Sequence, residues 1–480
     1  VVVVGFGSQK KVNVTGAVSM VGSEVIESRP VQNVSQALQG VVPGLNFSVN
    51  TSGGALDNSL NVNIRGAGTI GDGSNSSPLV LIDGVEGNMN AINPQDIESI
   101  SVLKDAASAS IYGARAAFGV ILINTKSGKS GRTNVNYSGN VRFTDALAVP
   151  DMLDSYKFAQ YFNEAAKNSG QGAVFSETQM QRILAYQKGE ITDGATINTT
   201  NNRWNNYTGA NANTDWFKEM YKDWVPSHEH NLSVSGGNEK VTYLVSGNFL
   251  DQNGLIAHGK DKFNRYTLNG KINATLSDYV KLNYSSKWIR EDYKRPSYMT
   301  GLFFHNIARR WPTNPVYDPN GYYMEGNEII QMEDGGIQKN QKDYAYQQLQ
   351  LVIEPIKDWK IYAEGNLNTI TNFQHWEVLP VYAHDVNGDQ YAFSWDGRAV
   401  GSTTVNEYGY KENFMTTNIY SDYFKQFDNG HFIKVMGGFN AEVMKTRSLS
   451  AQGDGLITPS VPTVSTTTSN PSVGGGYAHW

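Results

Sequence analysis

Beyond residue 129, apolar and polar residues alternate with a period of two through most of the chain. Between residues 265 and 276, Leu268 and Ile272 share one face with other apolar side chains, whereas Asn269 and Lys271 lie on the opposite, polar face. This alternation is typical of β-strands that have one apolar and one hydrated face. It predicts about nine strands, near residues 133–144, 228–236, 240–250, 263–276, 279–290, 346–355, 359–371, 412–425 and 431–444.

The connections between these predicted strands fall into two classes of length. Short turns are expected at 237–239, 277–278, 356–358 and 427–430, and long loops at 145–227, 291–345 and 372–411. Short turns at one rim and long loops at the other are typical of outer-membrane β-barrels. We therefore predict that residues 130–480 belong to an antiparallel transmembrane β-barrel, in preference to a soluble β architecture.

The predicted number of strands is too small for a closed barrel. Bacterial barrels have an even number of strands, and an open edge inside a membrane leaves backbone groups unpaired. A barrel wide enough to hold a folded plug has about 22 strands. We therefore expect this chain to be a fragment, with the remaining strands following Trp480.

The first 129 residues mix short helical and strand signals. Ser35 is a candidate N-cap for a short helix. Small residues predict a second helix from 105 to 112, which ends at Gly113. Strands are expected near residues 60–65, 79–82, 99–103 and 119–125. Together these signals predict a compact α+β domain of ordinary size.

Composition narrows the functional classes. The chain has 480 residues, a formal net charge of −6 and no cysteine. An acidic chain lacks the basic face that nucleic-acid binding requires, and the lack of cysteine excludes disulfides, thiolate metal sites and cysteine nucleophiles. No run approaches the roughly 18 apolar residues of a spanning helix, which excludes an inner-membrane helical bundle but not a β-barrel.

Three short motifs lack the context that their chemistry needs. Residues 66–71 match G-x-G-x-x-G, but the loop residues that follow cannot begin the helix that would face a pyrophosphate. Residues 128–130 resemble the end of a P-loop, yet Ile123 stands in place of its first glycine. His228 and His230 offer two imidazoles without an evident third ligand. We therefore predict that the protein is not an enzyme and has no metal and no cofactor.

Longer N-terminal motifs are far more specific. They are VVVVGFG at 1–7, LQG with PG at 38–44, NIRG at 63–66, PLVLIDGV at 78–85 and the run INPQDIESISVLKDAASASIYGARAAFGVILINTK at 92–126. On these motifs the chain resembles the SusC/RagA-like TonB-dependent outer-membrane transporters. The resemblance covers 1–129 by motif and 130–480 by strand layout. It implies a plug domain at 1–129, and at 130–480 the first part of a barrel that has 22 strands when complete.

The resemblance also implies a function. The family imports oligosaccharides, and in some members peptides, across the outer membrane of Gram-negative, Bacteroidota-like cells, with a SusD-like surface lipoprotein as a lid. TonB, energised through ExbB and ExbD, pulls on a Ton box that matches the four residues Val1, Val2, Val3 and Val4. The alternative is an outer-membrane signalling or adhesion protein that binds a ligand without transporting it.

Two sets of candidate site residues follow. Plug-motif residues are candidates for contacts with the barrel, and their charges are candidates for pairing with Arg265, Lys271 and Lys281 of the predicted barrel; ordinary hydration is the alternative. They are Arg65, Gly66, Asp83, Gly84, Lys104, Asp105, Tyr112, Gly113 and Arg115.

Loop aromatics are candidates for stacking on a substrate, or alternatively for packing the loops or the lipoprotein. They are Trp204, Tyr207, Trp216, Trp224, Trp311, Tyr322, Tyr323 and Trp376.

Overall fold

A computed structural model gives the fold of the chain. It describes residues 2–4, 7–9, 17–29, 31–48, 55–56, 60–66, 77–105, 109–147, 149–395, 397–428 and 431–479. Two parts follow one another along the chain: a small α+β N-terminal domain, and a single large sheet that carries long loops at one end.

The N-terminal domain is built on a five-stranded mixed sheet in the order β3-β8-β9-β6-β7. Its strands and those beside it are β1 (Val2–Val4), β2 (Gly7–Gln9), β3 (Val18–Gly22), β4 (Leu45–Ser48), β5 (Asn61–Ile64), β6 (Leu79–Ile82), β7 (Val85–Glu86), β8 (Ile97–Leu103) and β9 (Val120–Thr125). Its helices are α1 (Ser23–Glu27) and α2 (Val34–Leu38), with 3-10 turns at Pro94–Asp96 and Ser110–Ala116. Strand β9 buries apolar residues on both faces: Ile121 and Ile123 pack with helices α1 and α2, and Val120 and Leu122 pack with Ala109 and Ala116 at the 3-10 segment.

Two local predictions in this domain need correction. The N-cap of α2 is Asn33, whose side chain accepts a hydrogen bond from the Gln36 N–H, whereas Ser35 is buried and bonds to Asn90. Asn33 precedes the helix with extended backbone, which is the geometry that a cap requires. The helix predicted at 105–112 is a 3-10 segment, Ser110–Ala116, which is broken where Gly113 adopts a φ of 64°; residues 106–108 lie outside the described part.

The large sheet, called here the barrel wall, has ten strands that all pair antiparallel with their neighbours. The wall strands, with the two short loop hairpins between them, are β10 (Gly131–Thr144), β11 (Ile197–Asn198), β12 (Arg203–Trp204), β13 (Val225–Gly237), β14 (Val241–Asn253), β15 (Lys262–Ser277), β16 (Val280–Pro296), β17 (Ile337–Ile356), β18 (Trp359–Val378), β19 (Val381–His384), β20 (Gln390–Phe393), β21 (Thr404–Gln426), β22 (Phe432–Asp454) and β23 (Ser472–His479). The pairs β11–β12 and β19–β20 form separate two-stranded sheets.

The observed strands differ from the predicted ones in number and length. The nine predicted segments are all strands, and a tenth, β23, lies in the Gly/Ser/Thr-rich stretch where alternation is weak. Several strands also extend further at the long-loop end; β21, for example, begins at Thr404 instead of near 412. Outside an apolar environment both faces of a strand become polar, so the alternation that marks the strand in the sequence fades there.

The two faces of the barrel wall have opposite surroundings. Leu268 is 55% exposed, whereas the adjacent Asn269 is completely buried. Trp288 and Lys287 show the same contrast, with the lysine buried. The apolar face therefore points away from the protein, and the polar face points toward the N-terminal domain. Among the described residues, no helix is long and apolar enough to cross a membrane.

The long loops carry their own hydrophobic cores. Helices α3 (Ser155–Asn168), α4 (Glu177–Gln187), α5 (Trp216–Met220), α6 (Gly301–Arg309) and α7 (Ile329–Asp334) lie in them. Trp216, Met299 and Phe303 are fully buried in one cluster, and Phe175 and Ile183 in another. The loops are therefore a packed layer at one rim of the barrel wall.

A charged side chain on the outward face of the barrel wall should destabilise the fold more strongly the closer it lies to the middle of the apolar band. Ile272 lies in the apolar band of β15 between Tyr243 and Tyr284. We expect Ile272→Arg to cost about 2–4 kcal/mol of folding free energy in a bilayer. The measurement is urea-dependent folding of the full-length protein into lipid vesicles.

The control for this variant is the same substitution on the same face but beyond the apolar band. Ala451 lies opposite Glu407 near the long-loop end of β22. Ala451→Arg should leave the stability within about 1 kcal/mol of the parent protein, as at the edge of a bilayer. Equal losses from both substitutions would contradict the assignment of a lipid-facing band.

Candidate functional site at the interface of the N-terminal domain and the barrel wall

The interface is centred on Asp83, which lies in the two-residue turn between β6 and β7. Asp83 and Gly84 have φ values of 50° and 88°, the left-handed pair of a type I′ hairpin, for which Asp-Gly is a favoured sequence. This turn aims the carboxylate of Asp83 at Thr125 and at the barrel wall. The backbone N–H and the hydroxyl of Thr125 donate to it at 2.8 and 2.7 Å.

The barrel wall completes this site with Lys271. Its Nζ lies 3.0 Å from Oδ1 of Asp83 and donates to the carbonyl of Thr125 at 3.1 Å. Burial by itself raises the pKa of Asp83, but Lys271, the nearby Lys287 and the hydrogen bonds from Thr125 together hold this pKa below its usual value. The carboxylate is therefore charged in the folded protein, and its stabilisation depends on cations that belong to the barrel wall.

A second contact lies one strand away, at Asp96. Its carboxylate accepts a hydrogen bond from Ser246 Oγ at 2.8 Å, and the adjacent Asn93 donates to Asn231 of β13 at 3.0 Å. Burial raises the pKa of Asp96, and the bond from Ser246 offsets only part of this effect. The interface therefore lowers the pKa of Asp83 and raises the pKa of Asp96, because, of these two carboxylates, only Asp83 is in direct contact with a lysine.

Arg265 also reaches the N-terminal domain, but not in the way that the sequence predicted. It is 2% exposed, and its guanidinium donates to the backbone carbonyls of Asn90 and Gln32, both at 2.9 Å. We expected an acidic partner on the N-terminal domain. A planar group with five donors can instead bind two carbonyls at once, and the nearby Glu229 and Glu291 of the wall balance its charge.

The other predicted charges divide between the interface and the domain itself. Arg115 reaches the wall at Glu442, 2.8 Å away, and also pairs at 3.4 Å with Glu86 of β7 in its own domain. Lys104 donates to the Pro43 carbonyl at 2.5 Å, and Asp105 accepts from the Ala17 N–H, so both have contacts within the N-terminal domain.

The remaining predicted positions are not brought into the ion-pair contacts. Arg65 and Gly66 directly follow β5, and Arg65 is exposed. Lys281 is exposed near the short-turn end of β16. Tyr112, beside Gly113, is half-buried, and burial raises its pKa to about 12.

Several interface residues escaped the sequence analysis. Asn88 donates to Tyr344 Oη at 3.2 Å, Gln348 to the Asp83 carbonyl at 3.0 Å, and Asn368 to the Glu86 carbonyl at 3.0 Å. The wall partners all lie on the polar face of the alternating pattern. That face was a usable signal, but the residues of the N-terminal domain that meet it depend on tertiary placement.

A cavity of about 450 Å³ separates part of the N-terminal domain from the barrel wall beneath these contacts. Asp83 and Tyr112 line one side of it. Across from them lie Glu364 and Tyr420, whose hydroxyl donates to Glu364 at 3.2 Å. No group of three or more metal-ligating side chains occurs in the described part of the chain.

The predicted loop aromatics occupy different environments. Trp216 is fully buried and donates through Nε1 to the Trp311 carbonyl at 2.9 Å, and Trp311 packs among Phe158, Phe162 and Phe175. These two side chains therefore pack the loops. Tyr322 stacks on His384, Tyr323 stacks on Tyr317, and Tyr207 contacts Trp311 edge-on. Trp224 is 69% exposed and Trp204 is half-buried. Trp376 is also half-buried, but it lies in wall strand β18 and not in the long loop where it was predicted, because β18 extends to Val378.

The predicted Ton box lies at the start of the described chain. Val2, Val3 and Val4 form strand β1, which among the described residues pairs with β2 in a two-stranded antiparallel sheet. Val1 lies outside the described residues. The role of these four valines stays a prediction.

Comparison with known proteins finds similarity to TonB-dependent receptors. Residues 10–120 match the family described as TonB-dependent Receptor Plug Domain. TonB-dependent receptor P26 of Formosa agariphila is 32% identical over 69% of this chain, and TonB-dependent receptor SusC of Bacteroides thetaiotaomicron is 25% identical over 91% of it. The chain spans only 30% and 42% of the lengths of these two relatives.

The fold has a close counterpart among solved structures. A chain of the RagAB peptide importer in the "open-open" state superposes with a TM-score of 0.79 at 22% identity, over 100% of this chain and 53% of that one. The similarity covers both the N-terminal domain and the barrel wall. It shows that this chain shares the fold of about half of that importer chain.

Removal of the Lys271 cation should weaken the interface. Lys271→Met leaves the Asp83 carboxylate without its direct partner, and breaking a buried pair in this way costs about 3–5 kcal/mol. Hydrogen exchange of the Thr125 N–H, which is bonded to Asp83, should accelerate in the full-length variant. Arg115→Met is the control, because its pair with Glu442 is partly exposed and is worth less than about 1 kcal/mol.

The same variant gives a test by pH. Because the pKa of Asp83 is lowered in the folded protein, this contact stabilises above the ordinary aspartate pKa of about 3.9 and is lost as pH falls through the folded value. In Lys271→Met the acid-induced loss should move to higher pH. An unchanged exchange rate and pH profile would show that Asp83 does not hold the two parts together.

Proposed function

We propose, from the membership of this chain in the SusC/RagA-like TonB-dependent receptors of the outer membrane, that the whole protein actively imports a nutrient without covalent chemistry. The observation that carries this proposal is the polar character of the interface. The N-terminal domain is held by hydrogen bonds and ion pairs such as Lys271–Asp83 and Arg265–Asn90. Water can replace such polar partners when the domain shifts, while Ile289 and Tyr344 of the wall are the buried apolar residues that a shift would expose.

The proposed energy input is force from TonB, with ExbB and ExbD, on the segment Val1, Val2, Val3 and Val4. A two-stranded hairpin is marginally stable on its own, so β1 can leave β2 at little cost. An edge strand can then pair with a partner strand through its backbone, with little demand on side chains. This pairing would transmit force to the N-terminal domain.

A proline in β1 should separate coupling from ligand binding. Val3→Pro removes a backbone N–H from β1, whereas Val3→Thr keeps both that donor and the β-branched shape. We expect uptake by cells to fall at least about tenfold in Val3→Pro, because the loss of about 1.4 kcal/mol of pairing with TonB weakens that pairing tenfold. Uptake should persist in Val3→Thr. Ligand binding to the cell surface should be equal in both.

These measurements also test the alternative function. If the protein is a signalling or adhesion receptor that binds without transport, energy-dependent uptake will be undetectable even in the parent protein. Equal uptake by Val3→Pro and Val3→Thr would instead remove this segment from the coupling mechanism.

The proposed cargo is an oligosaccharide, with a peptide as the second candidate, and a SusD-like surface lipoprotein is the proposed lid. Two relatives support the pair of candidates, since one carries the name SusC and a solved counterpart is described as a peptide importer. The exposed Trp224 and the half-buried Trp204 and Trp376 favour sugar, because an indole ring offers a flat apolar face with a polar edge. Trp216 and Trp311 are left out, because they pack the loops.

Two tryptophan variants should give opposite results. Trp224→Ala removes an exposed ring, so we expect stability within about 0.5 kcal/mol of the parent and a weaker affinity for the cargo or the lid. Trp216→Ala removes a fully buried side chain and should lower the free energy of unfolding by about 3–5 kcal/mol. Thermal unfolding and binding of candidate glycans and peptides to the full-length protein measure both effects. Unchanged binding of cargo and of lid by Trp224→Ala would exclude this ring.

A further inference from the structure

Three exposed cations form a cluster on the outward face of β21 and β22 that the proposed import function does not use. Lys411, Lys445 and Arg447, called here the basic patch, all have exposed side chains. Glu442, an odd number of residues away on β22, reaches inward to Arg115 of the N-terminal domain. Since side chains alternate along a strand, Lys445 and Arg447 point away from that domain.

The register brings these cations together. Lys411 lies directly opposite Arg447, and Lys445 lies opposite Asn413. Facing residues in a sheet have Cβ atoms about 5 Å apart, and residues two apart on one strand are separated by roughly 7 Å. The three charges therefore lie within reach of one doubly charged or two singly charged anionic groups.

The protein itself does not compensate this charge. Within the described residues, none of the three cations has an ion pair or a side-chain hydrogen bond. The outward carboxylates nearby are engaged elsewhere: Glu407 bonds to His375 at 2.6 Å, and Asp343 pairs with Arg290 at 2.8 Å. Like charges directly opposite each other destabilise a sheet, so Lys411 and Arg447 repel unless an anion lies between them.

The position of the patch indicates the kind of anion. Met415 and Val443 face each other on the same outward surface, directly below the patch toward the short-turn end. They belong to an apolar row that continues through Leu367. The basic patch thus lies on the long-loop side of this row, and the exposed Leu449 and Phe373 lie beyond it on the same face. Tyr477, opposite Arg447 on β23, is also exposed.

We propose that the basic patch binds the phosphate groups of an anionic lipid in the outer leaflet of the membrane. The cations would contact the phosphates, and Met415 and Val443 would contact the upper part of the acyl chains. A soluble anion would gain only the charge interaction, whereas a lipid gains both contacts. Basic residues at a membrane surface favour anionic lipids additively, and lysine and arginine form short, strong hydrogen bonds to phosphate.

The test uses full-length protein extracted from outer membranes in mild detergent. Its variant is the triple substitution Lys411→Gln, Lys445→Gln and Arg447→Gln. The matched control removes three exposed loop charges, as Lys157→Gln, Lys188→Gln and Lys218→Gln. Native mass spectrometry counts phosphorylated lipid bound per protein, and the lipid is then added back in its phosphorylated and dephosphorylated forms.

We expect the patch variant to retain at least about tenfold less phosphorylated lipid than the loop control, since each basic residue contributes about 1 kcal/mol. The parent protein should bind the dephosphorylated lipid as poorly as the patch variant binds the phosphorylated form. Equal retention by both variants would overturn the proposal. Displacement of the lipid by millimolar inorganic phosphate would overturn it as well, because the site would then be one for free anions.

Discussion

The buried polar face of the barrel wall is the constraint on which the rest of the structure depends. A strand in a membrane must direct its apolar residues to lipid, so every second residue faces the interior. In β14, β15 and β16 those interior positions hold Ser246, Lys271 and Lys287, which no apolar surface could cover without loss. Whatever occupies the interior must therefore offer matching polar groups.

The N-terminal domain meets this requirement mainly with its turns. Its apolar residues cluster around Ile97, Ile100 and Ile121, and Ile289 and Tyr344 of the wall join this cluster. The side that meets the wall presents the β6–β7 turn, the Asn93–Asp96 segment and the carbonyls of Gln32 and Asn90. The domain can thus keep its own fold while these polar contacts exchange, as the proposed movement requires.

The long loops follow the opposite rule and fold on apolar contacts. Trp216, Met299 and Phe303 bury themselves among helices α5 and α6. This explains why an aromatic residue in a long loop is a weak indicator of a binding site. Large rings bury much apolar area and so help to hold a long connection in one conformation, and only the tertiary structure separates such a ring from an exposed one like Trp224.

The sequence by itself determined the elements whose signal is local. The alternation in 265–276 predicted β15 with its two faces, and the apolar run at 79–82 predicted β6, because strand signals depend on neighbours in the chain. Only the tertiary structure decided which groups meet. Lys271 lies 188 residues along the chain from Asp83, and Arg265 binds backbone carbonyls, which no side chain in the sequence indicates. The N-cap of helix α2 is Asn33 and not Ser35. Contacts between distant segments depend on strand register and on how the domain is seated in the wall, and neither is encoded in a local pattern.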